Sequence, residues 1–148
     1  MIQNVRAASG SRRLVAIIAV ASIVGCASPR GGEDAQRLAG ADWRLSELSG
    51  RAAIPLEVSR RPWLRFETDS GRVSGSGGCN RLTGPFTTNH GAIHFGALAA
   101  TKIACFDDAL ARQEDDFFAV LNSANRFDIE GRTLLLLRGE EVVARFVR

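Results

Sequence analysis

The chain has 148 residues, of which 19 are lysine or arginine and 16 are aspartate or glutamate, giving a formal net charge of +3 at pH 7. This length suits a single domain with one hydrophobic core. The basic excess comes from Arg6, Arg12 and Arg13, so the chain beyond them holds 16 basic and 16 acidic residues. A domain that binds nucleic acid should carry a basic excess, and this balance therefore excludes that class of partner.

The first 25 residues have the order of a secretory signal. The three arginines precede an apolar run, Leu14 to Val24, and no acidic residue occurs before position 26. This run is about half as long as the roughly 20 apolar residues that a transmembrane helix needs. A basic start, a short apolar run and a small residue, Gly25, before the cleavage point together predict a signal peptide over residues 1–25.

The residue after the predicted cleavage point is Cys26, and its surroundings resemble the lipobox of bacterial lipoproteins. The resemblance implies cleavage before Cys26, a diacylglycerol on its sulfur, and acylation of the new amino group. Several acyl chains would anchor the protein stably to a membrane. In Gram-negative lipoproteins, a residue other than aspartate after the lipidated cysteine favours the outer membrane. With Ala27 at this position, the resemblance implies an outer-membrane lipoprotein that faces the periplasm. We also expect a monomer whose further partner is an unknown envelope protein or lipid.

Residues 27–40 contain proline, glycine and charged side chains without apolar periodicity. We therefore interpret residues 26–41 as the lipidated cysteine and a flexible tether, whose r.m.s. length is on the order of 20 Å. The apolar pattern of a folded domain begins near Asp42, and we expect this domain over residues 42–148.

A period of two residues dominates the sequence after Asp42, which indicates half-buried β-strands. Trp43 and Leu45 alternate with polar residues in the first of these segments, and Leu64 and Phe66 do so in a later one. Several such segments with turn residues between them favour an antiparallel sheet.

Two hairpins are predicted from their turn residues. Asn89-His90-Gly91 predicts a three-residue loop between two short strands, and Arg138-Gly139-Glu140 predicts a second turn near the end of the chain. The strand before the second turn, residues 134–137, is apolar on both faces, so we expect it in a central position of the sheet.

One segment, residues 108–124, has a helical period instead. Leu110, Phe117 and Leu121 share one stripe of this helix, and the run Glu114-Asp115-Asp116 is interpreted as its charged, solvent-exposed face rather than a calcium site. Strands, one helix and further strands predict an α+β fold. We expect a curled, barrel-like antiparallel β-sheet of about seven or eight short strands, closed by one α-helix.

Two cysteines follow Cys26, namely Cys79 and Cys105. An even pair in an exported protein predicts a disulfide, with two reduced thiols as the alternative. The bond would close a loop of 27 residues and stabilise the fold by roughly 3–4 kcal/mol in the chain-entropy description. Another alternative to the disulfide is a Cys2His2 zinc site, in which His90 and His94 would join the two cysteines as ligands. We do not expect this metal site, because neither cysteine belongs to a short Cys-x2–4-Cys pair.

Two short stretches stand out by their composition. The ten residues from Gly75 to Gly84 include four glycines, which indicates a backbone with positive φ or a close approach of another segment. Asn80, within this stretch, is suited to bind the backbone of a turn. The second stretch, Thr101 to Cys105, comes just before the predicted helix, so the disulfide would join the glycine-rich segment to the helix start.

These stretches resemble the signature of the META/HslJ-like domain family: G-x-G-G-C-N, a nearby aromatic residue, T-x-[MI]-A-C, and a helix with E-x-x-F. Phe86 stands where the family more often has tyrosine, and Phe106 stands where proline is more usual. The residues that match the motifs, all taken as structural, are Gly75, Gly77, Gly78, Asn80, Gly84, Thr101, Ala104 and Glu114.

The resemblance implies a noncatalytic, mostly β domain that envelope lipoproteins often carry. The family is linked to heat shock, to novobiocin tolerance, and to motility or virulence in some relatives. We expect no catalytic residue, no cofactor and no metal. The favoured hypothesis is an envelope-stress lipoprotein that contacts other envelope components. The alternative is a carrier or pilot module for a lipid or hydrophobic peptide, and this alternative requires a cavity inside the barrel.

Overall fold

The computed structural model describes residues 31–57 and 60–148. Within these residues the chain forms two helices and ten strands. In chain order they are α1 (Gly31–Leu38), β1 (Trp43–Leu48), β2 (Arg51–Ala52), β3 (Trp63–Glu67), β4 (Arg72–Ser76), β5 (Arg81–Asn89), β6 (Ala92–Phe95), β7 (Ala99–Ala100), α2 (Asp108–Ser123), β8 (Arg126–Glu130), β9 (Thr133–Arg138) and β10 (Glu141–Val147). The predicted signal peptide and Cys26 lie outside the described residues.

Eight of the strands close into an antiparallel barrel. Their order is β1, β3, β4, β5, β6, β8, β9 and β10, and β10 pairs with β1 to complete the circle. The other two strands are short additions to the wall, with β2 paired to β1 and β7 paired to β5. Closure gives every barrel strand a neighbour on each side. The predicted α+β fold with a barrel-like antiparallel sheet is confirmed.

The barrel strands alternate buried and exposed residues, as their period of two predicts. Large apolar side chains occupy the interior as a result. They include Trp43, Leu45, Leu64, Phe66, Val73, Leu82, Phe86, Ile93, Phe95, Phe127, Leu134, Leu136 and Phe146. The strand β9 lies between β8 and β10 and is buried at residues 134–136, so its predicted central position is confirmed.

Both predicted hairpins form, but one loop is shorter than expected. Asn89 remains paired with Ala92, so the loop between β5 and β6 contains only His90 and Gly91. The prediction of a three-residue loop is therefore wrong by one residue. The φ angles of the two loop residues are 50° and 78°. Positive φ at both positions is what a two-residue type I′ turn requires, and its twist matches that of the strands.

The predicted helix is α2, and its limits agree with the sequence pattern. Asp107 is its N-cap, since the Asp107 side chain accepts a hydrogen bond from the Leu110 amide at 2.8 Å. This bond satisfies one of the open amides of the first helical turn. The apolar stripe faces the barrel, where the ring centroid of Phe117 lies 6.1 Å from that of Phe146.

A second helix, α1, forms where the sequence pattern predicted a flexible tether. The tether prediction is wrong for residues 31–38, because contacts with the barrel hold this segment. Leu38 is fully buried, and its carbonyl accepts a hydrogen bond from Trp43 Nε1 at 2.8 Å. The side chain of Asp34 accepts another from the Gly91 amide at 2.9 Å. Isolated helices of eight residues are unstable in water, so packing on the barrel must stabilise α1.

The helix α1 and the start of α2 lie at opposite ends of the barrel. The helix α1 lies at the end where β5 finishes, beside Gly91, and the neighbouring Ala39 pairs with Phe66. The first half of α2 lies at the other end, where β4 finishes and β5 begins, and Glu114 contacts Cys79 and Asn80 there. Neither helix in the described ranges is long and apolar enough to cross a membrane.

Candidate functional site

The carboxylate of Glu114 lies at the centre of the α2 end of the barrel. Its side chain is buried, with 5% of the residue exposed. Glu114 Oε1 accepts hydrogen bonds from the backbone amides of Cys79 at 3.0 Å and Asn80 at 2.6 Å. Glu114 Oε2 accepts a third from Asn80 Nδ2, also at 2.6 Å. Hydrogen bonds to an ionised group are stronger than neutral ones, so one helical side chain fixes the turn between β4 and β5.

The side chain of Asn80 extends this network to the segment before α2. Its Oδ1 accepts hydrogen bonds from Thr101 Oγ1 at 2.8 Å and from the Ile103 amide at 2.7 Å. Its Nδ2 donates to the Ile103 carbonyl at 3.1 Å as well as to Glu114. Both Nδ2 hydrogens and the amide oxygen are therefore satisfied, which a buried carboxamide needs.

A disulfide joins the same two segments covalently. Cys79 and Cys105 are bonded, as the cysteine count predicts, and their Cα atoms are 5.8 Å apart. Glu114 Oε2 lies 3.7 Å from the Cys105 sulfur. We call Cys79, Asn80, Cys105 and Glu114 the clamp, because these four residues hold the turn after β4, the segment before α2 and α2 itself together.

Glycines at the clamp allow the backbone to come close to α2. A Cβ atom on Gly77 would lie 2.6 Å from both Glu114 Cγ and Glu114 Oε1, which is closer than real Cβ contacts come. Gly78 has a φ of 118°, a conformation that side chains disfavour. Gly75 and Gly84 lie further along the two strands, where a Cβ would overlap the Trp63 carbonyl and the residue Leu98 respectively.

The prediction that Glu114-Asp115-Asp116 forms a solvent-exposed face of α2 is wrong for Glu114. Glu114 is buried in the clamp, whereas Asp115 is exposed and Asp116 forms an exposed ion pair with Arg51 at 2.9 Å. The sequence contains the signal for this burial. Glu114 follows Leu110 by four residues and precedes Phe117 by three, so it falls on the apolar stripe and not opposite it.

The alternative Cys2His2 zinc site is contradicted by the structure. His90 lies at the exposed β5–β6 turn, and His94 is exposed on β6 opposite Thr87. Among the described residues, the potential ligands that lie together are Cys79, Cys105 and Glu114, without either histidine. The two sulfurs of this group bond to each other, and the carboxylate oxygens accept hydrogen bonds from the clamp.

Of the remaining motif residues, one takes part in the clamp network and one does not. Thr101 bonds to Asn80 and also accepts a hydrogen bond from the Arg81 amide at 3.2 Å. Ala104 is exposed, and no described contact ties it to the clamp.

A model of the META domain family matches residues 36–148. This chain belongs to the META domain family. The match begins inside α1, which agrees with the helix being part of the folded domain and places the domain start earlier than residue 42. The glycine-rich turn, the disulfide and Glu114 all lie within the matched range.

Solved structures show the same fold. One is the NMR structure of a protein from Burkholderia xenovorans, which is 22% identical, with a TM-score of 0.62 over 90% of this chain and 98% of the other. A second NMR structure is 19% identical, with a TM-score of 0.62 over 76% of this chain and 93% of the other. At these identities the likeness concerns the fold alone. No curated protein matches the chain.

Sequence reasoning missed a second buried polar residue of this META domain, Gln113. Its Oε1 accepts a hydrogen bond from the Ile54 amide at 2.7 Å, and its Nε2 has no hydrogen-bond partner among the residues that the structure describes. Gln113 lies three residues after Leu110 and four before Phe117, so the same stripe rule that applies to Glu114 would have located it.

The META domain also exposes two large apolar side chains beside its disulfide. Phe106 is fully exposed and Ile103 is 61% exposed. Both belong to the segment before α2 that Asn80 and Cys105 hold in place. Aromatic residues are enriched at protein–protein interfaces, so this segment is a candidate contact surface.

Proposed function

We propose that this META-domain protein is a noncatalytic lipoprotein of the cell envelope, which acts by contacting other envelope components in envelope stress or in novobiocin-type antibiotic tolerance. The observation that carries the proposal is the exposure of Phe106 and Ile103 on a segment held by the clamp. A segment that is already ordered loses less conformational entropy when it binds, so rigid apolar side chains are effective contact residues.

The filled barrel favours this function over the carrier alternative. A carrier needs an interior space for a lipid or hydrophobic peptide, but aromatic and leucine side chains occupy the interior here. Trp43, Phe117 and Phe146 are fully buried. Protein interiors pack densely, so emptying a lipid-sized space would require several of these side chains to leave the core.

Nucleophilic catalysis also lacks support among the described residues. The hydroxyl of Ser76, which follows Gly75, accepts a hydrogen bond from the Gly78 amide at 3.1 Å and so belongs to the turn. Both clamp sulfurs are bonded to each other. A contact function does not require the Ser76 hydroxyl or the clamp cysteines to react. It therefore agrees with a site whose polar groups are already hydrogen-bonded to each other.

The position of α1 supports an orientation for the proposed contact. If Cys26 is lipidated, the chain from Cys26 to Gly31 can span at most about 18 Å when fully extended. The α1 end would therefore stay near the membrane, while Phe106 at the α2 end would face away from it. We infer that the partner of this surface is another envelope component and not the lipid that anchors the chain.

Site-specific photo-crosslinking in cells tests the proposal. A photoreactive phenylalanine analogue at position 106 should give a defined crosslink to an envelope component, and the same analogue at the exposed Gln36 on α1 should not. In a strain that lacks the protein, wild type and Gln36→Ser should restore novobiocin tolerance, whereas Phe106→Ser should not restore it at equal protein level. Full complementation by Phe106→Ser, with no crosslink from position 106, would contradict the proposed function.

A further inference from the structure

A surface cleft of about 510 Å³ lies between β2 and the first turns of α2. Its lining includes Leu48, Ile54 and Ala109, together with the polar residues Arg112 and Gln113. Ligand sites in proteins have volumes of roughly 300–1,000 Å³ and combine an apolar lining with a few placed polar groups. The cleft has this size and this composition. It is separate from the clamp, and the contact function proposed above does not involve it.

The most informative group in the cleft is the carboxamide of Gln113. The residue is only 9% exposed. Its orientation is determined by the Ile54 amide, which needs an acceptor and therefore selects Oε1 at 2.7 Å. The Nε2 group is left as a buried donor without a partner in the described part of the chain. Buried donors without partners are rare and costly, so an acceptor that bound here would stabilise this group.

Beside Gln113, the strand β2 has an edge that is open in the described part of the chain. The strand β2 is the last in its sheet path, and its outer side pairs with no described strand. The Ala53 amide donates to the Ser46 carbonyl at 3.0 Å, so Ala53 bonds toward β1. Because hydrogen-bonding direction alternates along an antiparallel strand, the amide and carbonyl of Ala52 point away from β1, toward the free side.

Charge in the cleft argues against a strongly ionic ligand. Its ionisable lining residues are Arg51, Arg112, Asp115 and Asp116, which balance to zero. Arg51 and Asp116 pair with each other at 2.9 Å, and Arg112 and Asp115 are exposed at the rim. A neutral acceptor suits this balance better than an anion, and the commonest neutral acceptor in proteins is the backbone carbonyl.

We propose that an extended peptide segment of a partner protein binds in this cleft. The segment adds as a further strand to the outer edge of β2, and one of its backbone carbonyls accepts the hydrogen bond of Gln113 Nε2. Strand addition supplies main-chain hydrogen bonds, while the apolar lining near Leu48 and Ile54 receives alternate side chains. This inference rests on the proposed contact function and names the class of partner for the α2 end.

A displayed library of random dodecapeptides, panned against the purified mature chain, provides the probe. Selected peptides are then titrated against wild type, Gln113→Met and Gln113→Glu, both of which remove the Nε2 donor. We expect binding to weaken about tenfold or more in each variant, as loss of one buried hydrogen bond predicts. The matched control is Gln36→Met on α1, which should bind like wild type.

Nuclear magnetic resonance of the wild-type chain gives a readout that does not depend on variant folding. Addition of a selected peptide should shift the side-chain NH2 signals of Gln113 and the backbone amide signal of Ala52. The proposal is overturned if these signals do not move, or if no selected peptide loses affinity in the Gln113 variants. If peptide binding depended on Phe106 and not on Gln113, the proposed peptide site in the cleft would be wrong, while the proposed contact function would stand. If peptides bound in the cleft but position 106 gave no crosslink in cells, the proposed peptide site would stand and the proposed contact through Phe106 would be wrong.

Discussion

At the scale of single residues, the α2 end depends on one carboxylate. Glu114 accepts hydrogen bonds from Cys79 and from both the backbone and the side chain of Asn80. Asn80 in turn binds Ile103 on the segment before α2. Three parts of the chain that are distant in sequence are therefore positioned by one pair of side chains, and substitutions of this pair should have larger effects than those of nearby charged residues.

Glu114→Gln should lower the free energy of unfolding by about 2–3 kcal/mol, because hydrogen bonds to charged groups contribute about 1.5–3 kcal/mol. The variant would also place an NH2 group against the Asn80 NH2 group, which now donates to Glu114 Oε2. The matched control is Asp115→Asn on the exposed side of α2, which should change stability by about 0.5 kcal/mol or less. Urea denaturation of both variants measures the difference, and equal midpoints would argue against a stabilising carboxylate at position 114.

Gly77→Ala should destabilise the protein by about 1–3 kcal/mol, the usual cost of forcing extra atoms into a packed site. The new methyl group would overlap Glu114 Cγ and Oε1, and the carboxylate cannot move without losing its bonds to the turn. Gly32→Ala on α1 is the control, since a Cβ at Gly32 meets no described atom within 4 Å. This control should be neutral or slightly stabilising. Thermal melts that rank the two variants in the opposite order would contradict the close approach at Gly77.

The sequence predicts the residues of the clamp only in part. The cysteine count predicts the disulfide, and the glycines predict a close backbone approach. The burial of Glu114 and Gln113 is encoded by their positions on the apolar stripe of α2, but their polarity suggests the solvent face. Only the amides of the turn after β4 and of Ile54 explain why these polar side chains can be buried. These amides are brought to α2 by tertiary folding, which local patterns do not describe.

At the scale of secondary-structure elements, strands and α2 are predictable and α1 is not. The strands follow from alternation, and α2 follows from its stripe and its N-cap at Asp107. The eight residues of α1 begin with two glycines and contain a single large apolar residue, Leu38. Local propensity therefore does not favour this helix. It forms because Leu38 and Asp34 contact the barrel, and the Asp34 contact is with Gly91, which is far away in sequence.

Leu38→Ala tests whether α1 belongs to the folded domain. Leu38 is fully buried, so its truncation should cost about 2–5 kcal/mol, the range for leucine in a core. Gln36→Ala on the same helix is exposed and should cost about 0.5 kcal/mol or less. Chemical denaturation compares the two variants. If Leu38→Ala were no more costly than Gln36→Ala, the segment would behave in solution as the tether that its composition suggests.

At the scale of the whole molecule, the described residues form one closed barrel, with α1 at one end and the start of α2 at the other. The interior is filled with apolar side chains, so the features available for binding lie on the surface. Three of them gather at the α2 end: the clamp, the exposed Phe106 and the cleft beside Gln113. The proposed anchor on Cys26 and the proposed contact surface at Phe106 would thus be separated, which suits the proposed contact with a component away from the membrane.

The stability of the chain without its disulfide tests most directly whether the clamp holds the α2 end together. The double variant Cys79→Ser/Cys105→Ser removes a bond across 26 positions of sequence, and we expect its free energy of unfolding to fall by about 3–4 kcal/mol. Wild type treated with a reductant is the matched control and should lose a similar amount. Urea denaturation in which the oxidised wild type and the double variant unfold at the same midpoint would contradict the account.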